Sequence, residues 1–347
     1  MCPSVCIAQD ATVIRSELQL LEGPINDTDR ACTYNWISFN YAYENPDEGI
    51  KYGRLGRSLL KKLDFKKGIG DAHSNMGFCF TCKSEFDSAN VHYSKSIEAF
   101  QNIQNNCWTK VPTSNLGANY IKQRDLANAL IQYLEAARLE EGYPDRGFKS
   151  TSIYSVGIVY HAMKKSDKAI PYFEQTCAID LANSDTSKMA ERLAALGNAL
   201  TGIGRFEDAQ KKFKEAFSYF AKLDDKYRKA ITHIGLARLK EKTGYEKEAI
   251  YEAEIAREVF KNEDRKSDWF SACVLLGELY SKNENWVNSF EVLNEGVKIA
   301  EELQVKSARL KINEKLTLAS MKSGPLLWQR NTLKNTLLCA KLCSMKR

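Results

Sequence analysis

The sequence predicts an all-α protein made of helical hairpins in tandem, and three regularities at one spacing carry that prediction. Steps of forty residues from Gly157 land on Gly77, Gly117, Gly197, Ala237 and Gly277, a small side chain in all six copies. The residue before each is large and aliphatic: Met76, Leu116, Val156, Leu196, Leu236 and Leu276. Twelve residues after each stands a second small side chain: Ala89, Ala129, Ala169, Ala209, Ala249 and Ser289. A period of this length, held without insertion, is the mark of a chain built by stacking one supersecondary unit on the next.

Each copy reads as two helices. The first carries the glycine and, three residues on, Phe80, Tyr120, Tyr160, Leu200, Lys240 or Tyr280; the second carries Tyr93, Tyr133, Phe173, Phe213, Ala253 or Leu293. Glycine inside a helix costs about 1 kcal/mol relative to alanine. That cost is recovered if the two helices cross closely there and a ring fills the space the missing side chain leaves. The polar breaks KSEF, KQRD, KKSD, GIGRFED and KTGYEK are the helix-to-helix turns, with Gly near some helix ends and Asp or Ser near the next helix start. Pro171 falls just beyond the first turn of its helix, where it removes at most one backbone bond. An earlier copy over residues 35–63 keeps the step in its second helix with Gly49 and Gly56, and its turn, Asn45-Pro46, is one residue shorter. A degenerate last copy has Leu316 and Thr317 in its first helix and Gly324-Pro325 as its turn. It has Gln329 where a small residue is expected, which suits a capping hairpin that packs on one side only.

Composition narrows the function. With 44% hydrophobic and 27% charged residues over 347 positions, the chain is ordinary globular material, long enough for two domains or one extended array. No run approaches the roughly 18 to 20 apolar residues of a membrane helix. The start MCPSVCIAQD lacks a basic leader and a full apolar core, so the expected place is the cytoplasm; the alternative is export, with this stretch the tail of a truncated signal peptide. The ten cysteines are scattered, which predicts reduced thiols and no disulfides. The net charge of +6 comes from residues 321–347, whose six Lys/Arg meet no acid, while the other 44 basic residues are balanced by 44 acidic ones. A balanced body disfavours nucleic acid as a partner.

The stretches NLGANYIKQRDLANALIQYLEAARL (115–139) and ALGNALTGIGRFEDAQKKFKEAFSYF (195–220) resemble the tetratricopeptide repeat family, over roughly residues 31–309. The forty-residue step, longer than that family's standard repeat, resembles the lengthened variety of LGN-type scaffolds and bacterial sensory proteins. The resemblance implies a right-handed superhelical solenoid of about seven antiparallel hairpins, with a leader and short helix over 1–30 and a capping hairpin over 310–347. It implies too that first helices line a concave, peptide-binding groove. Carried over by position, the groove residues are Asn75, Asn115, Tyr154, Asn198, Arg238 and Glu278, with Lys122, His161 and Lys242 a turn further along. Asparagine can donate to and accept from an extended backbone at once, which favours Asn75, Asn115 and Asn198. Some members grip a C-terminal carboxylate with lysine and asparagine; here Ser74 and Phe78 occupy those two positions of the second repeat, and that clamp is not expected.

No residue set supports catalysis. CFTC (79–82) is a lone C-x-x-C inside a helix with only His73 and His92 nearby in sequence, and Cys2/Cys6 and Cys339/Cys343 are isolated pairs, so no metal is expected. The four histidines are spread along the array with no nucleophile-base-acid order to be placed on them, and GIGDAHSNMG has no strand before it to make a phosphate loop. The C-terminal LLWQRNTLKNTLLCAKLCSMKR is basic and amphipathic, the pattern of a solenoid cap or of weak contact with an anionic surface. The expected function is a non-enzymatic scaffold without cofactors, a monomer or weak dimer, holding a peptide or helix of another protein. The alternative is the input module of a bacterial signalling protein, separated from its output domain.

Overall fold

The small residues of the first helices are seats for rings. A Cβ built on Gly157 would stand 2.6 Å from Cε1 of Phe173, and one on Gly77 2.8 Å from Cε1 of Tyr93. Gly117 faces Tyr133 and Gly197 faces Phe213 in the same way, and in the last copy Gly277 faces Leu293, whose Cδ2 would lie 2.4 Å away. Each pair is sixteen residues apart and closes one hairpin. Phe173, Phe213 and Leu293 are fully buried; burying such a side chain is worth about 1.5–3 kcal/mol, which outweighs the helix cost of the glycine.

The computed structural model describes residues 11–104, 106–140, 146–303, 312–317 and 321–322, and these residues are all-α, a tandem of helical hairpins as the sequence predicts. In the unit spanning residues 1–183 a lead helix α1 (Ala11–Glu22) precedes four hairpins: α2 (Asp27–Glu44) with α3 (Pro46–Lys62), α4 (Lys66–Cys82) with α5 (Phe86–Gln101), α6 (Asn106–Lys122) with α7 (Leu126–Glu140), and α8 (Arg146–Ala162) with α9 (Ser166–Ala182). The unit spanning 184–347 holds three: α10 (Thr186–Gly202) with α11 (Phe206–Lys222), α12 (Lys226–Lys242) with α13 (Glu246–Asn262), and α14 (Lys266–Lys282) with α15 (Trp286–Glu302). Of the expected capping hairpin only 312–317 is described at any length, a helical turn whose Ile312 and Leu316 are buried with Leu293 and Val274. The Gly324-Pro325 turn, Gln329, the basic segment 326–347 and the two terminal cysteine pairs lie outside the described residues. No helix among those described is long and apolar enough to cross a membrane.

Two copies depart from the rule. In α12 and α13 both partners are alanine, Ala237 and Ala253, and the seat has moved two residues back: Gly235 receives Phe213 from the preceding hairpin, 2.7 Å from where its Cβ would be. In the first hairpin the small residues have changed helices. Gly49, Gly53 and Gly56 lie on α3, and a Cβ on Gly53 would meet Ser38 Oγ at 2.8 Å and Met76 Cγ at 2.5 Å. Asn45 ends α2 and caps α3 at once, its Oδ1 accepting from the Glu48 N–H, and Pro46 takes the first helical position.

The turns repeat every twenty residues. A left-handed residue stands at Asp64, Ser84, Arg124, Lys164, Asp224, Asp264 and Glu284, with Gly204 and Gly244 in the same role. The next N–H then reaches back five residues, as from Phe65 to Leu60 (2.9 Å), Lys165 to Tyr160 (2.9 Å) and Arg265 to Phe260 (2.8 Å). This is the Schellman closure, which pairs carbonyls the helix end would leave open. Most of these sites accept the strain of a left-handed non-glycine residue, about 1–2 kcal/mol each. Asp125, Asp185, Asp225 and Asn285 cap the following helices by accepting the N–H three residues on.

Two of the hairpins bury polar pairs at one equivalent position. Between α4 and α5 the imidazoles of His73 and His92 meet Nδ1 to Nδ1 at 3.1 Å, so one donates and the other accepts. Burial, with His92, Arg57 and Lys95 adding to it, lowers the His73 pKa to about 4. Burial with Lys95, Arg57 and Arg54 does the same to His92, also to about 4. At the matching place in the second unit Glu252 accepts from His233 Nδ1 (2.5 Å) and from Lys240 Nζ (2.6 Å). Burial pushes the Glu252 carboxyl up, but these two donors outweigh it and hold it below the usual carboxylate range.

Two outcomes follow from this packing. Gly157→Ala should lose about 1–3 kcal/mol of stability by overpacking Phe173, although alanine is the better helix former; a thermal melt reads it, and an unchanged or raised midpoint would sink the seat reading. The His73 and His92 pKa values are depressed on folding, so as pH falls the unfolded chain takes up protons first, from about 6.5. The stability is therefore complete above pH 6.5 and declines towards pH 4. The double variant His73→Gln/His92→Gln should show a smaller fall in melting temperature between pH 7 and 4.5 than the parent chain.

Candidate functional site

Two first-helix faces, one in each unit, are where the sequence places its candidate residues, and the structure sorts those residues by what already engages them. In the first unit Asn75, on α4, is half-buried, and its Nδ2 donates to the Asn35 carbonyl of α2 at 2.8 Å. Asn35 in turn donates to the Gly68 carbonyl at 3.0 Å, so these asparagines tie the first hairpin to the second. Asn115, on α6, is half-buried and makes no side-chain hydrogen bond among the described residues. Lys122 is exposed at the end of α6, near enough to Cys82 to oppose the upward push that burial gives that thiol.

Tyr154 is placed in the core instead of on the exposed face. Its ring packs 5.5 Å from that of Phe173, the ring seated on Gly157, and it is 9% exposed. His161 turns to the start of α9, its Nδ1 2.9 Å from the Ser166 hydroxyl. At these two positions the aromatic filler and the next helix start lie within reach of the first helix.

In the second unit Asn198, on α10, is half-buried, with its Oδ1 2.7 Å from the point a Cβ on Gly235 would take; the glycine leaves it room. Arg238 and Lys242, one turn apart on α12, are exposed and have no ion-pair partner among the described residues. Glu278, on α14, is engaged by Lys315 at 2.7 Å, and Lys282 pairs with Glu241. The second face therefore offers one amide and two free cations.

The first face has a feature the forty-residue step misses. Trp36, Phe39 and Tyr43 run along α2, with Phe78 of α4 beside them: Trp36 to Phe39 is 6.0 Å between centroids, Phe39 to Phe78 5.9 Å, and Tyr43 meets Phe78 edge-on at 5.2 Å. Trp36 is 48% exposed and Tyr43 58%. The short Asn45-Pro46 turn moves α2 by one residue, so forty back from Phe78 is the buried Ser38, whereas thirty-nine back is Phe39. Correcting the first copy for its turn would have found the row.

The C-x-x-C lies within α4, as expected. Cys79 is buried, donates to the Ser38 carbonyl at 3.3 Å, and burial pushes its pKa up to about 12, which keeps it a thiol. Among the described residues no group of three or more His, Cys, Asp or Glu is placed to hold a metal ion.

Comparison with known proteins agrees with this architecture. The tetratricopeptide repeat family matches residues 110–182. No curated protein sequence matches the chain. Among solved structures, the apo form of RapI superposes with a TM-score of 0.65 at 14% identity, covering 78% of this chain and 98% of that one. A Rap protein complexed with competence and sporulation factor gives 0.63 at 15% identity, covering 89% of each chain. The Rap conjugation gene regulator of the plasmid pLS20, in complex with the Phr* peptide, gives 0.57 at 17% identity over 83% of this chain and 79% of that one. Residues 110–182 thus match the tetratricopeptide repeat family, and the same forty-residue hairpin is repeated on either side of that stretch.

Proposed function

We propose that the chain is a non-enzymatic scaffold that captures a peptide or helix of another protein on its first-helix faces. The observation that carries this reading is the aromatic row Trp36, Phe39, Tyr43 and Phe78, in which Trp36 and Tyr43 are exposed and the two phenylalanines half-buried. Aromatic residues this open on a helical array offer large rigid contact area at small entropic cost, the usual anchor of a binding surface. Asn75 and Asn115 lie beyond the row on the next two first helices. Asn115 has both amide groups to spend on a peptide backbone, and Asn75 keeps its carbonyl oxygen after donating to Asn35. Lys122 closes the face with a positive charge. In the second unit Asn198, Arg238 and Lys242 form the corresponding polar set, with Glu278 held by Lys315; Tyr154 and His161 serve by packing and by joining helices.

Two of the similar structures hold peptides, competence and sporulation factor in one and Phr* in the other. That supports a short peptide as the ligand class, and it leaves the signalling-input reading as a variant of the same capture. The expected setting is cytoplasmic, with the array acting alone or as a weak dimer and needing no cofactor.

Affinity capture with the full chain, with Trp36→Ala/Tyr43→Ala and with Asn115→Ala tests the proposal. A ligand retained by the parent chain should be lost with the aromatic variant and weakened about tenfold or more by the asparagine variant, about 1.4 kcal/mol. Retention of the same ligand by both variants at unchanged affinity would reject the face.

A further inference from the structure

The first unit has a second surface of a different chemistry, on the side of α4 that meets α3 and α5. His73 of α4 is buried against His92 of α5. Arg54 and Arg57 of α3 and Lys95 of α5 stand on the two helices packed against α4, near enough to add to the lowering of the His92 pKa. Arg54 and Lys95 are exposed and Arg57 half-buried, and none has an ion-pair partner among the described residues. Exposed Lys61 and Lys62 continue the unpaired positive charge along α3.

The acids of the neighbourhood do not neutralise this patch. On α3 Glu48 pairs with Lys51 and Asp47 with Lys83, and on α4 Asp71 pairs with Lys67; Asp87, which accepts from Gln123, and exposed Glu98 on α5 and Asp64 after α3 have no ion-pair partner among the described residues. Cations that stay unpaired while those around them are matched raise the local potential and favour an anionic partner. The patch is not purely polar, because Leu55 of α3 and Val91 of α5 are 44% and 51% exposed. It has nothing for a nucleobase to stack on: Tyr93 and Phe100 are buried, and Tyr52 is stacked on Tyr41.

We propose that the surface formed by α3 and α5, with Arg54, Arg57 and Lys95 beside the His73–His92 pair, docks an acidic, partly apolar helical segment of a partner protein. Carboxylates of that segment meet the three cations, and its apolar side chains cover Leu55 and Val91. The site is separate from the first-helix face and does not depend on the reading given to it.

Fluorescence anisotropy of the full chain with a fluorescein-labelled helical peptide of glutamates, with leucine at every third and fourth position, tests this. Binding should weaken at least about tenfold in Arg54→Glu/Arg57→Glu/Lys95→Glu. It should be unchanged in Lys214→Glu/Lys222→Glu/Lys247→Glu, which alters net charge equally in the second unit, and in Trp36→Ala/Tyr43→Ala. Should the reversal variant fail to give the parent's circular-dichroism melt, Arg54→Gln/Arg57→Gln/Lys95→Gln takes its place, with a smaller loss expected. Equal weakening by the second-unit variant, or none by the first, overturns the proposal. So does tighter binding at these residues of a single-stranded oligonucleotide or of phosphatidylserine vesicles.

Discussion

The constraint on which the structure rests is that a ring or branched side chain of one helix must enter the backbone of another. Five hairpins meet it in one way, with glycine in the first helix and the filler sixteen residues later. A side chain at the seat would drive the helices apart by more than a packed interior tolerates, so the residue is set by shape and not by helix preference. Much else follows from the depth of that crossing. It fixes the large aliphatic residue before the seat and the short left-handed turn that brings the second helix back.

Much of this was legible in the sequence because it depends on spacing. The forty-residue step, the turn positions, the Asn45-Pro46 junction and the pairing of Gly157 with Phe173 all follow from where small and large residues recur. The binding face was less legible. Carrying positions over from a family assumes that each first helix keeps the same register, and the one-residue shorter first turn breaks that assumption where exposed Trp36 and Tyr43 lie. It also assumes that a residue on the expected stripe is left unengaged; Tyr154 packs on Phe173, and half-buried His161 meets Ser166. Engagement by neighbours is a property of three-dimensional contact that no periodicity carries.

The polar interior shows how one packing position is used for different ends. His73 with His92 and His233 with Glu252 are the same pair of sites four repeats apart. In the second unit the Glu252 carboxylate is compensated within the hairpin by Lys240. In the first unit the pair is neutral, with a guanidinium-rich helix beside it, and the positive charge of α3 is left for something outside the chain. The first unit thus has an aromatic first-helix face and a cationic surface on its second helices, two chemistries on one set of hairpins.

The Ala237 and Ala253 copy bears on how such a chain can be cut and rejoined. A hairpin that holds both its glycine and its ring is self-contained, and a gene could duplicate, delete or shuffle it as a forty-residue cassette. The α12–α13 hairpin is not: its glycine is filled by Phe213 from the hairpin before it. It has to be inherited together with α10–α11, so in this stretch the smallest piece that recombination can move intact is eighty residues long, two steps of the forty-residue repeat.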